Sequence, residues 1–297
     1  MLSPSRREFL EDTIRLGGAA MLAGPLGEIL AVGAEKPGGK IKLGLCTYLW
    51  GKDWDLPTVI ANCAKSKVLA VELRTQHKHG VEPSISAAER NEVKKQFAES
   101  PVLFLGVGSN ECFHHVDPKA LSTAIEATKG FIKLSHDCGG SGVKVKPNDL
   151  PKGVPQKRTT AQIGRSLNEL GRFAADYGQQ IRLEVHGGCA RLPVVKEIMD
   201  VADHPNVAVC WNCNGEDLLD GGLESNFHLV EKRLGATTHA HELDTGKYPY
   251  QDLISLLVKA DYSGWVLLEC SKMPADGVAA MIHQHEVFDR MVAKARA

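Results

Sequence analysis

The sequence lacks an excess of charge of either sign: 35 lysines and arginines face 36 aspartates and glutamates, a formal net charge of −1. Without a basic stripe there is no electrostatic footprint for a phosphate backbone, and nucleic acid is excluded as a partner. Low-complexity tracts and residue-level repeats are also missing. The one weakly apolar stretch near the N-terminus, from Leu16, is broken by Pro25 and Glu28, which argues against a stable membrane span. Cysteine is not scarce, but the eight (46, 63, 112, 138, 189, 210, 213 and 270) show no framework spacing. They are scattered through a chain large enough to bury a core without cross-links, so we expect packed thiols rather than disulfides. Cys210-Trp211-Asn212-Cys213 has the spacing of a redox pair but not the small thioredoxin-type domain around it.

What is present begins with Ser5-Arg6-Arg7-Glu8-Phe9-Leu10, which reads as a twin-arginine export signal, followed by small residues up to Val32-Gly33-Ala34. We expect residues 1–34 to be a cleaved signal and the protein to be exported, periplasmic or otherwise extracytoplasmic. The remaining 297 − 34 = 263 residues are close to the roughly 250 of a single (β/α)₈ barrel.

From Lys40 to Ala297 short apolar runs alternate with amphipathic stretches such as LSTAIEATKGFIKLSHDC. The runs are 41–48, 68–74, 102–110, 142–148, 181–188, 207–214, 236–243 and 264–271. Eight strand–helix units in one chain predict a single α/β domain of the (β/α)₈ TIM-barrel class. Active sites of such barrels form at the C-terminal strand ends. Those ends read Glu72 and Arg74; Lys144, Lys146 and Asn148; Glu184 and His186; Asn212 and Asn214; His239 and His241; and Glu269.

Strands five to eight thus each end in an oxygen or nitrogen donor, a pattern a hydrophobic core does not need. Two carboxylates with imidazole and amide oxygen suit a divalent ion of the Mn, Co or Zn type. With such an ion polarising a carbonyl, a carboxylate can remove the proton on the neighbouring carbon. That is the chemistry of keto-sugar isomerisation and epimerisation, with a small carbohydrate as substrate. Elimination from a β-hydroxy ketone starts with the same step.

The motifs Glu184-Val-His186-Gly187-Gly188, HAHEL from His239, and YPYQDLISLLVKADYSGWVLLE ending at Glu269 resemble the xylose-isomerase-like barrels. That superfamily includes sugar isomerases and epimerases, inosose dehydratase and endonuclease IV. The resemblance implies metal ligands at Glu184, Asn212, His239 and Glu269, with Glu184 and Glu269 also catalytic. The seventh-strand ligand could instead be His241 in a shifted register; we place His239 on the metal and His241 near substrate. His186 is expected to orient substrate or a metal-bound water.

Departures from the family pattern are as telling. Where relatives usually show W-D-x-x-H, this chain has Trp211-Asn212-Cys213-Asn214-Gly215, so one ligand is neutral and the histidine is missing. Ala190 stands where the ketose epimerases carry a second glutamate. Fewer charged ligands imply weaker metal binding and a more electrophilic ion. The missing ligands and the neutral charge oppose an endonuclease IV-type nuclease. Three readings stay open: a metal-dependent sugar isomerase or epimerase, a lyase on a 3-keto sugar or inosose, and a non-catalytic sugar-binding barrel with a decayed site. Glu72 either touches substrate or pairs with Arg74 or Lys144. Lys144 and Lys146 either bind an anionic substrate oxygen or neutralise the glutamates. His77, His79, His114 and His115 are read as solvent-exposed.

Overall fold

The computed structural model describes residues 40–297; the export signal expected in residues 1–34 lies outside them. Eight strands run β1 (Lys42–Cys46), β2 (Ala70–Arg74), β3 (Leu103–Cys112), β4 (Gly142–Lys146), β5 (Gln180–Glu184), β6 (Val207–Cys210), β7 (Thr237–Ala240) and β8 (Trp265–Leu268). Helices follow them in turn: α1 (Leu56–Ser66), α2 (Ala87–Ala98), α3 (Pro118–Asp137), α4 (Gln156–Ala175), α5 (Leu192–Val201), α6 (Gly222–Val230), α7 (Tyr250–Lys259) and α8 (Gly277–Arg296). The strands pair in parallel in the order β6-β5-β4-β3-β2-β1-β8-β7. Parallel bridges Val209↔Leu234 and Asn212↔His239 join the two outer strands and close the barrel.

Local chemistry fixes the helix starts. Asp55 accepts the Thr58 amide with Pro57 in the first turn, Ser86 and Glu89 form a reciprocal capping box, and Asp117 caps α3 ahead of Pro118. Along α4 the residues Ile163, Leu167, Leu170 and Ala174 recur at helical spacing and are all buried. No helix among the described residues is long and apolar enough to cross a membrane.

Alternation along the strands sorts the side chains. In β5, Ile181 and Leu183 join the large apolar core. Arg182 and Glu184 take the other face, and both are wholly buried. A second small cluster of Cys46, Ala70, Leu105 and Leu267 is separate from the main core. Two of its members, Ala70 and Leu267, are followed two residues on by Glu72 and Glu269, so charge collects at that end of the barrel. All eight cysteines are free, and seven of them are buried. Strand ends differ from the sequence expectation by a few residues. β6 stops at Cys210, because Asn214 Nδ2 turns back to donate to the carbonyls of Asn212 (2.7 Å) and Val185 (2.9 Å).

Candidate active site

The C-terminal strand ends bring Glu72, Lys144, Glu184, His239 and Glu269 together with Arg74 and with Asn212, just beyond β6. Glu72, Lys144, Glu184 and His239 have no exposed surface at all, and Asn212 and Glu269 have almost none. Lys144 Nζ lies 2.8 Å from Glu184 Oε2, and Arg74 Nη1 lies 2.7 Å from Glu269 Oε1. Each carboxylate therefore has one oxygen held by a cation. The other two oxygens meet the Asn212 amide, whose Nδ2 donates to Glu184 Oε1 at 2.9 Å and to Glu269 Oε2 at 3.4 Å. His239 Nδ1 closes the ring, 3.4 Å from Glu184 Oε1 and 3.3 Å from Glu269 Oε2.

The remaining sequence candidates divide. Glu72 pairs with neither Arg74 nor Lys144, contrary to expectation: its Oε1 lies 3.2 Å from His239 Nε2 and accepts the Cys46 thiol at 3.7 Å. It is wholly buried, as are Lys144, Glu184 and His239. Lys144 is the neutralising lysine, while Lys146 reaches the half-buried rim and donates to Asn110 Oδ1 at 3.2 Å. His186 is half-buried, with Nδ1 3.2 Å from Asn148 Oδ1. His241 Nδ1 lies 2.8 Å from the Glu269 carbonyl, which requires that nitrogen to be the donor and leaves Nε2 as an acceptor in the neutral ring. His79 is not exposed as expected; it is buried against the Arg74 carbonyl at 2.7 Å and accepts the Val81 amide, so it shapes the loop after β2.

Sequence reasoning missed two members. Cys46 was grouped with the packed thiols, yet its Sγ lies 4.0 Å from Glu269 Oε1. Arg74 is expected from the sequence only as a possible partner of Glu72, whereas its guanidinium holds Glu269 instead. Cys46, His239 and Glu269 also offer ligand atoms within 4.8 Å of one another, and burial pushes the thiol well above its ordinary range.

Electrostatics hold the two glutamates ionised. Burial would raise both, but Lys144 and His239 bring Glu184 well below the carboxylate range. For Glu269, burial and the Glu184 charge push up, and His239 and Lys144 prevail, leaving it at about 2. Burial opposes charge on His239, yet the Glu72 and Glu269 carboxylates beside it raise it well above the usual imidazole range.

The donor types suit a divalent ion, and four contacts among them run 2.9, 3.4, 3.4 and 3.3 Å, near the edges that metal–ligand bonds of about 2.0–2.2 Å imply. Among the described residues the group whose ligand atoms all lie within 4.8 Å of one another is Cys46, His239 and Glu269, so an ion shared by Glu184 and Glu269 would draw those two carboxylates together. Both His239 nitrogens and Asn212 Oδ1 are buried without a hydrogen-bond partner. Oxygen and nitrogen of an amide exchange by a half-turn, so Asn212 can offer its oxygen in place of Nδ2. Glu184 Oε1, Glu269 Oε2, His239 Nδ1 and Asn212 would hold the ion, with Lys144 and Arg74 as outer partners.

The family model for xylose isomerase-like TIM barrels matches residues 60–291, well over half of the chain. The chain belongs to that family. Among solved structures, D-allulose 3-epimerase from Methylomonas sp., in complex with D-allulose, superposes with a TM-score of 0.70 at 17% identity, over 86% of this chain and 98% of that one. The 3-keto-D-glucoside 4-epimerase YcjR from E. coli gives 0.70 at 14% identity, over 85% and 99%. The IolI protein with a bound zinc atom gives 0.70 at 17% identity, over 85% and 98%. At these identities the likeness establishes the shared fold. No curated protein matches the sequence.

Proposed function

We propose that this barrel acts on a sugar or keto-sugar as an isomerase or epimerase, moving a proton on a carbon beside a carbonyl. The observation that carries the reading is the convergence of Glu184 Oε1, Glu269 Oε2, His239 Nδ1 and the Asn212 amide at the C-terminal mouth. A divalent ion of the Mn, Co or Zn type held there would supply Lewis-acid polarisation of the substrate carbonyl. Glu184 and Glu269 remain carboxylates across the physiological range, so either can accept a proton from carbon. Lys144 and Arg74 fix the orientation of both by holding the second oxygen. His186 and the free Nε2 of His241 stand at the rim as hydrogen-bonding groups for substrate hydroxyls. The sugar epimerases that share the fold support the substrate class.

The test joins metal content to exchange. The full chain and Glu184→Ala are purified without chelator, assayed by inductively coupled plasma mass spectrometry, then incubated with ketoses in heavy water. Near-stoichiometric metal lost in the variant, with deuterium uptake beside the carbonyl, supports the reading. No metal in either protein after soaking, and no exchange, sinks it in favour of a sugar-binding barrel without catalysis. Product analysis separates isomerisation from the elimination that begins with the same step. The proposal includes export by the twin-arginine route, checked by whether Arg6→Lys with Arg7→Lys retains a reporter fused after Ala34 inside the cell.

A further inference from the structure

Two cations at the mouth converge on one neutral acceptor. Arg74 Nη2 and Lys146 Nζ each donate to Asn110 Oδ1 at 3.2 Å, so the two charged nitrogens lie within twice that distance of each other. The other positive ends of the site have anionic partners: Lys144 has Glu184, and Arg74 Nη1 has Glu269. Among the described residues Lys146 makes no ion pair, and its only acceptor is the amide it shares with Arg74. Arg74 Nε is buried without an acceptor.

A solvated surface lysine would explain an unpaired ammonium, but Lys146 does not sit like one. It follows Lys144 by two residues on the same face of β4, and its stem is half-buried in the mouth. Burial and the neighbouring Lys144 charge push its ammonium below the usual range. Asn110, by contrast, is exposed, so the point where the two cations meet is open to a ligand. Two like charges brought together over one neutral oxygen are relieved by an anion seated between them.

We propose that the substrate carries an anionic group, a carboxylate or a phosphate, bound by Arg74 and Lys146 above Asn110. This rests on the reading of the mouth as a sugar site and narrows it. The same guanidinium that donates to Asn110 through Nη2 holds Glu269 through Nη1. The anion therefore sits one guanidinium width from a catalytic carboxylate, beside the reacting carbon and not at the far end of a long sugar. Keto-sugar acids with the carboxylate next to the carbonyl, and ketose 1-phosphates, meet that requirement.

Isothermal titration calorimetry of the full chain with 2-keto-D-gluconate, D-fructose 1-phosphate and D-fructose tests this, in wild type, Lys146→Met and Lys146→Arg. A charge-assisted hydrogen bond predicts that one anionic ketose binds at least about tenfold more tightly than D-fructose. Lys146→Met should remove that preference and Lys146→Arg should keep most of it. Whether the carboxylate or the phosphate wins identifies the anion. Equal or tighter binding of D-fructose, no binding of either anion, or an unchanged preference in Lys146→Met overturns the inference. Deuterium exchange on D-fructose without anion preference would overturn it while leaving the isomerase reading intact. Anion preference without exchange on any ketose would do the reverse.

Discussion

Lys144 Nζ and Glu184 Oε2 meet at 2.8 Å with both side chains wholly buried. Neither charge reaches water, so each depends on the other, with a second, weaker donation from Lys144 to the Ser109 carbonyl at 3.3 Å. Removing one partner leaves an uncompensated buried ion, which costs about 3–5 kcal/mol. Lys144→Met should therefore lower the unfolding free energy by that amount in urea. The double variant with Glu184→Gln should recover a large part of it. A loss below about 1 kcal/mol in Lys144→Met, as for an exposed pair, would contradict the arrangement.

Asn212 is the neutral member of an otherwise charged ring, donating to Glu184 at 2.9 Å and to Glu269 at 3.4 Å. Asn212→Asp exchanges those hydrogen bonds for repulsion between three carboxylates, but adds a charged ligand for a cation. In chelator the variant should melt below wild type. With excess Mn or Zn its melting temperature should rise more than wild type's, since binding to the native state stabilises by mass action. Paired thermal scans settle the point, and a variant indifferent to metal would count against the donor ring as an ion site.

The barrel was legible because strand–helix alternation repeats eight times, and period-two spacing at the strand ends brings Glu184, His239 and Glu269 onto the same inner surface. What the spacing could not give was pairing across strands. Arg74 and Glu269 are 195 residues apart in sequence, and only closure between β1 and β8 makes them neighbours. Glu72 shows the same gap from the other side. Its strand and face were readable, but its partner is His239 on β7, across the barrel interior, and not a cation nearby in sequence. Depth was the second missing quantity: Lys144 and Lys146 share a face and differ by one barrel layer, and that layer separates a buried counter-ion from a rim donor.

Asp217 predicts a pH dependence. It is fully buried, with Oδ2 accepting the Tyr248 hydroxyl at 2.6 Å and the Asn214 amide at 3.0 Å, while Oδ1 has no partner. Burial raises its carboxyl from 3.8 to about 7 against the pull of those hydrogen bonds. The folded state thus holds this proton where the unfolded chain has lost it, so the contribution to stability falls as pH rises from about 4 to about 7. The half-buried His77, lowered to about 4 by burial, acts in the opposite direction, so the readout is the difference between wild type and Asp217→Asn. That difference should grow in the variant's favour across the window and level off above it. A constant difference would mean that Asp217 is ionised throughout.

Gly187 and Gly188 follow His186 and face different constraints. Gly187 has φ +65°, and a Cβ there would run into the Asn148 carbonyl oxygen. Asn148 itself holds His186 through Oδ1 at 3.2 Å. A side chain at Gly187 must move the very residue that fixes the rim histidine. At Gly188 the backbone is ordinary, and the closest contact, 2.6 Å, is with the Asp149 Oδ1 carboxylate at the end of a flexible side chain. Gly187→Ala should therefore cost about 1–3 kcal/mol in chemical denaturation and weaken ketose binding, whereas Gly188→Ala should stay within about 1 kcal/mol and bind normally. If the two variants suffer alike, the tight spacing after β5 and not the left-handed backbone at Gly187 governs the rim, and His186 is positioned by something other than Asn148.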